Sequence, residues 1–368
     1  MPRTVMRDVG DRLRAVLILG LVTVCALAVA LVPDWESDLG AQTYEEFTSI
    51  GAEALRDAEA ERKVLTNRLD ESRKETHARK WGVFATFERN TIRRSPSDRG
   101  NGFDSETPGA FFGLDRRLSD SLLVGTAAGF KVTDLSFDDT PGLATLAGHG
   151  RQRTYTETFG PYLSYNPGRP WYLSASVLAG LLQVRTERSG AGNFLVGKAR
   201  GFTSGSRFSV ALGGGYDWPY RAFTVGPRLN VSYDRVSMER FSERGQRRDF
   251  SNLLAVPGNV EEVTTVKVGS RATYARRFSW GTIVPNWRLD LVYRDFEQSG
   301  GSRVSPVSQP GLIEPVVADR PDPTSMEVGL GVQFALPKEL TFWIDYEENF
   351  LERFLQRDRL TVGIRKQF

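Results

Sequence analysis

From Trp81 to Phe368 apolar and polar residues alternate with a period of two, the mark of strands that present two unlike faces. In the run 325–336, Met326, Val328, Leu330, Val332, Phe334 and Leu336 occupy one parity, and Ser325, Glu327, Gly329, Gly331, Gln333 and Ala335 the other. Likewise Phe223, Val225, Pro227, Leu229, Val231 and Tyr233 alternate with Thr224, Gly226, Arg228, Asn230, Ser232 and Asp234. Twelve such runs can be read, at roughly 80–90, 107–117, 121–134, 152–166, 170–187, 204–218, 222–236, 262–278, 282–297, 324–336, 339–349 and 356–368. Tight turns, among them Ser119-Asp120, Pro219-Tyr220-Arg221 and Pro337-Lys338, alternate with long polar connections at 91–106, 135–151, 188–203, 237–261 and 298–323. Only the last outer connection, near Leu351 to Phe354, is short.

An even set of long antiparallel strands, with short turns on one side and long loops on the other, predicts an all-β transmembrane barrel, up-and-down, over 80–368. The final strand supports this. Leu360, Val362, Ile364 and Phe368 share one face, an apolar stripe expected to meet acyl chains and to serve as a C-terminal insertion signal. That strand should pair with the first, because unpaired backbone groups cost several kcal/mol each in hydrocarbon. A large soluble sandwich or ligand barrel has the same periodicity with the apolar parity turned inward, leaving Arg228, Arg271, Arg288 and Asp290 in water.

The period changes upstream of residue 80. Residues 42–79 are rich in Ala, Glu, Lys, Arg and Leu, lack Pro and predict a helix. Its apolar stripe (Phe47, Ile50, Ala54, Ala58, Leu65, Leu69) is thin, so the segment 31–79 reads either as a rod in a polar lumen or as a solvated helix or coiled coil under it. Residues 15–32 are almost wholly apolar behind Arg3, Arg7, Arg12 and Arg14, which reads as a signal peptide over 1–30 with an Ala28-Val29-Ala30 cleavage site, or as an uncleaved anchor.

Composition narrows the function. With 48 basic and 45 acidic residues the net charge is +3, which gives no reason to expect nucleic acid as a partner. The single cysteine, Cys25, excludes an internal disulfide or zinc cluster. The only histidines, His77 and His149, lack an orienting partner, and no nucleophile elbow or phosphate loop occurs, so neither catalysis, a metal nor a cofactor is expected. The informative charges are those at the lumen parity of the strands. Arg207, Arg228, Lys267, Arg271, Arg288 and Arg294, with Asp217, Asp234, Asp290, Glu327 and Asp345, are expected to line the lumen and to pair with one another or with the helix. Glycines of that parity, including Gly125, Gly129, Gly213, Gly329 and Gly331, leave room for something inside. Trp81, Trp171, Trp218, Trp280 and Phe368 fall at the short-turn side, where an aromatic belt at the headgroups is expected.

Three segments then carry a resemblance: AFFGLDRRLSDSLLVGTAAGFKVTDLSF, SVALGGGYDWPYRAFTVGPRLNVSYDRVSMERFSERG and VGSRATYARRFSWGTIVPNWRLDLVYRDF, in that order. They resemble the translocator barrels of autotransporters (type V secretion), over about 80–368. The resemblance implies a barrel that carries an N-terminal segment to the cell surface, with a helix threading the lumen where 42–79 stands. It also implies an outer-membrane location, lipids and lipopolysaccharide as surroundings, and dependence on periplasmic chaperones and the barrel-insertion machinery. The chain departs from that family in three ways. Little sequence separates the signal segment from the helix, the helix lacks an Asn-Asn pair, and Lys366 stands where an apolar residue is commoner. The expected function is a translocator or surface anchor with little or no passenger. The alternatives are a pore for polysaccharide or small solutes and an adhesin acting through loops 237–261 and 298–323. Oligomeric state is not legible.

Overall fold

A computed structural model describes residues 45–72, 81–96, 102–137, 150–168, 170–189, 198–245, 253–299, 303–307, 314–315 and 322–368. The signal segment, Cys25, His77, His149 and parts of the long loops lie outside the described residues. One helix, α1 (Glu45–Ser72), precedes twelve strands. These are β1 (Trp81–Arg94), β2 (Phe103–Arg117), β3 (Leu122–Phe137), β4 (Gly150–Tyr165), β5 (Trp171–Ser189) and β6 (Lys198–Tyr216). They continue as β7 (Phe223–Met238), β8 (Asn259–Tyr274), β9 (Gly281–Ser299), β10 (Thr324–Leu336), β11 (Leu340–Phe350) and β12 (Leu355–Gln367).

Each strand pairs antiparallel with its neighbour in sequence, and β12 pairs with β1 from Gly82↔Gln367 to Arg94↔Leu355, which closes the barrel. Beyond the last ladder pair the Phe368 N–H donates to the Trp81 carbonyl at 3.0 Å. Closure leaves the terminus no freedom to fray, which is what its apolar stripe requires. Along β1 the faces alternate as the sequence predicts: Trp81, Val83 and Phe87 point out, while Phe84, Thr86, Glu88 and Asn90 are buried inside. Val362, on the outer face of β12, is 42% exposed. Replacing it with Arg is expected to destabilise the inserted barrel by about 2–4 kcal/mol, the cost of a cation at mid-bilayer. Urea unfolding in lipid vesicles measures it, and a cost below about 0.5 kcal/mol would place this face in water.

The strands run further toward the long loops than the hydrophobic runs foretell. β1 and β2 extend to Arg94 and Phe103, and their outer faces there carry charge: Arg89 pairs with Glu106 at 2.8 Å and Arg93 with Asp104 at 3.6 Å. Ladder hydrogen bonds do not need an apolar outer face once the strand has left the lipid, so the barrel wall rises above the membrane as a charged collar.

Prolines interrupt ladders without shifting them. The β3 ladder on β2 steps from Glu106↔Asp134 to Gly109↔Lys131 around Pro108, and the β5 ladder on β4 steps from Phe159↔Ala179 to Tyr162↔Ser176 around Pro161. Beside Pro227, β6 stops at Gly215↔Arg228 and resumes in the same register at Trp218↔Val225. Beside Pro285, β8 stops at Thr273↔Asn286 and resumes at Arg276↔Ile283. Each proline lacks the N–H that the skipped pair would have used, so the loss is confined to one side of one strand.

Candidate functional site

The interior is occupied by α1. Between Ala52 and Thr66 its side chains are mostly buried although most of them are polar: Glu53, Asp57, Glu61 and Arg62 as well as Ala54, Ala58 and Leu65. Buried charges persist only where partners meet them, and the barrel supplies those partners. This places the segment in the lumen and not in solvent beneath it.

The helix has a direction. Ala54 and Leu55 cluster with Leu182, Val236 and Val263, toward the long-loop ends of β5, β7 and β8. Val64 and Leu65 cluster with Phe84, Leu123, Tyr162 and Trp343, toward the short-turn end. The N-terminal end of α1 therefore faces the long-loop mouth.

Interior glycines shape the floor under Val64 and Leu65. The rings of Phe84, Phe111 and Trp343 lie over Gly113, Gly129 and Gly363 of adjacent strands, so closely that a Cβ on any of the three would overlap the ring. Gly329 and Gly331 likewise make way for Arg288 and Asp345. The small residues hold space for large lumen side chains first, and through them for the helix.

Between the two apolar clusters lies a belt of ions. Glu59 of α1 accepts from Lys267 at 2.5 Å and from Arg294 and Arg357 at 3.2 Å each. Glu327 on β10 meets the same three cations, at 3.0, 3.4 and 2.8 Å, and adds Lys63 of the helix at 2.6 Å. Lys63 also pairs with Glu347, which Arg359 approaches at 3.4 Å while donating to the Ala60 carbonyl at 2.9 Å. On the opposite flank Glu61 pairs with Arg207 and, at 4.0 Å, with Lys131; Arg62 pairs with Asp234; and Thr133 donates to the Asp57 carboxylate at 2.7 Å. Spaces beside the helix amount to about 50, 10 and 30 Å³. Each holds at most a few waters.

Of the lumen residues expected from sequence, Arg207, Lys267, Arg294, Asp234 and Glu327 touch the helix or share its ion network. Arg228 and Asp290 pair with each other on the wall, Nε to Oδ1 at 2.7 Å, and Arg288 pairs with Asp345 at 3.1 Å. Arg271 is buried in the interior. Asp217 lies in the one-residue gap between the end of β6 and the resumed ladder at Trp218, between the outward Tyr216 and Trp218, its backbone N–H on the Pro170 carbonyl at 2.7 Å. Sequence reasoning expected the helix as a partner without singling out Glu59, Glu61, Arg62 and Lys63, and passed over Glu347, Arg357 and Arg359. The strand members share the parity of the expected set, and Glu59 with Lys63 lies one helical turn apart.

At the short-turn end Trp81, Trp218, Trp280 and Phe368 are exposed, and Trp171 packs against Tyr165 with ring centres 5.7 Å apart. Tyr216, Phe223, Tyr274 and Phe278 continue the girdle, with Phe278 stacked on Trp280 at 5.5 Å. Lys366 points outward among them and reaches the Lys338 carbonyl in the turn. This lets its ammonium leave the apolar band, so a lysine there costs little.

The profile of the autotransporter β-domain family matches residues 83–347. Among solved structures, the translocator domain of autotransporter NalP from Neisseria meningitidis superposes with a TM-score of 0.65 at 14% identity, covering 89% of this chain and 100% of that one. The β-domain of the Bordetella autotransporter BrkA gives a TM-score of 0.57 at 20% identity, covering 78% and 100%. The transport unit of AIDA-I from Escherichia coli gives 0.50 at 12%, covering 80% and 92%. A search of curated protein sequences returns no match. The profile spans most of the chain, and the twelve-stranded closure around one helix is the fold those translocators share: the chain is an outer-membrane barrel belonging to the autotransporter β-domain family.

Proposed function

We propose that the barrel translocates or anchors an N-terminal segment across the outer membrane, with α1 as the part that stays in the lumen. The polarity of the helix carries this reading. Its N-terminal end faces the long-loop mouth and its C-terminal end the short-turn side, where the first strand begins at Trp81, the orientation suited to a segment passed outward through the lumen. The ion belt supports anchoring, because a helix held by matched charges at a fixed register resists sliding out in either direction. Catalysis is not part of this function; the barrel acts by holding and orienting a chain. An epitope inserted directly before Glu45 tests it. The tag is expected to bind antibody on intact cells as strongly as after permeabilisation. Labelling only after permeabilisation would overturn the proposal.

A further inference from the structure

The collar above the apolar band is not uniform. On the outer wall of β4–β6 the outward residues change from Phe159, Leu181 and Phe208 to Arg153 and Arg151, Arg185, and Arg200. The segment after β7 folds against this wall through Arg244↔Arg200 and Gly245↔Ala199. Its residues alternate: Phe241 packs with Val184 and Leu254, and Glu243 forms a buried pair with Arg188 at 2.6 Å. Arg240, Ser242 and Arg244 are left facing outward. Together they border an open depression of about 1160 Å³ lined by six arginines (151, 153, 185, 200, 240 and 244) against two carboxylates, Glu187 and Glu243.

Two register facts make the depression unusual. Arg153 stands directly opposite Arg185, and Arg200 directly opposite Arg244. Like charges so placed destabilise a sheet unless something of opposite sign lies between them. The nearby acids do not suffice. Asp134 is taken up by Arg153 at 2.6 Å, Glu187 is shared by Lys198 and Arg200, and Glu243 is committed inward to Arg188. Arg151, Arg240 and Arg244 make no ion pair among the described residues, and Arg185 rests over the Tyr155 ring at 5.7 Å.

We propose that this depression binds the phosphate groups of an outer-leaflet glycolipid of the lipopolysaccharide type. The chemistry is that of a bidentate guanidinium on phosphate. The depth selects a membrane lipid over a soluble anion, since on the outer face of β5 only Gln183 separates Arg185 from Leu181, the last apolar residue of that face. Phe202, 56% exposed and directly opposite Arg185, supplies an apolar contact at the same level. The proposal rests on the long-loop end facing outward, which the epitope experiment reports separately.

The test uses the full chain in phosphatidylcholine nanodiscs doped with bisphosphorylated lipid A or with its dephosphorylated form, lipid retention being read by native mass spectrometry. Wild type and an Arg89→Ser/Arg93→Ser control are expected to retain the phosphorylated lipid about tenfold or more over the dephosphorylated one, and Arg185→Ser/Arg200→Ser/Arg244→Ser to lose that preference. Arg244→Ser alone, outside the barrel wall, is expected to lose part of it and guards against misfolding of the triple variant. Equal retention by wild type and either variant overturns the proposal. So does displacement of the lipid by millimolar inorganic phosphate, which would mark a soluble-anion site.

Discussion

Deleting residues 45–72 is expected to turn a barrel that scarcely conducts into an open pore. With α1 in place, spaces of about 50, 10 and 30 Å³ beside it are each too small to pass a hydrated ion. Without α1, a rod about 10–12 Å across is gone, and the single-channel conductance in planar bilayers should rise by about tenfold or more. The backbone ladder does not involve the helix, so the barrel itself should survive, which heat-modifiable migration on a gel can verify. The rise also discriminates functions. A solute or polysaccharide pore would have to conduct with the helix present, and little change on deletion would favour that reading over a plugged translocator.

Much of this was legible because the outer-membrane environment imposes a strict rule on alternation. Hydrocarbon on one face and polar groups on the other keep a period of two in all twelve strands, and the short turns punctuate it, so strand number, order and closure follow from sequence. Strand ends were less legible. The outer ends of β1, β2, β5 and β6 carry charge on their outer face, as with Arg93, Asp104, Glu187 and Lys198, and a hydrophobic criterion stops where the lipid stops rather than where the ladder stops. Pro227 and Pro285 are tolerated inside strands because each faces a skipped pair on one side. The helix was visible as a helix, but its place was not. Glu59, Glu61, Arg62 and Lys63 look solvated in isolation, and only Lys131, Arg207, Asp234, Glu327 and Arg357, scattered over more than two hundred residues, reveal that they are buried.

Glu327→Gln is expected to loosen the helix by about 3–5 kcal/mol, a shift of roughly two to four orders of magnitude in the ratio of seated to released helix. Four cations, Lys63, Lys267, Arg294 and Arg357, converge on this carboxylate, which is wholly buried. The amide keeps the shape and removes the charge, leaving those cations only Glu59, Glu347 and Glu352. Water in the small spaces beside the helix carries no charge to replace the lost anion, so the belt is left with an excess of buried positive charge. Expulsion of the helix takes both Lys63 and Glu59 out and admits water to the lumen, which solvates the wall cations and relieves that excess better than any local rearrangement of the wall. The release is measured as trypsin cleavage at Arg62 and Lys63 and as open events in planar bilayers, both rising in step. A double-mutant cycle with Lys63→Met isolates the direct contact, for which a coupling of about 1–3 kcal/mol is expected. Additive single effects, or a Glu327→Gln barrel that stays closed and protease-resistant, would mean that the two apolar clusters around Leu55 and Leu65 hold the helix without help from the charges.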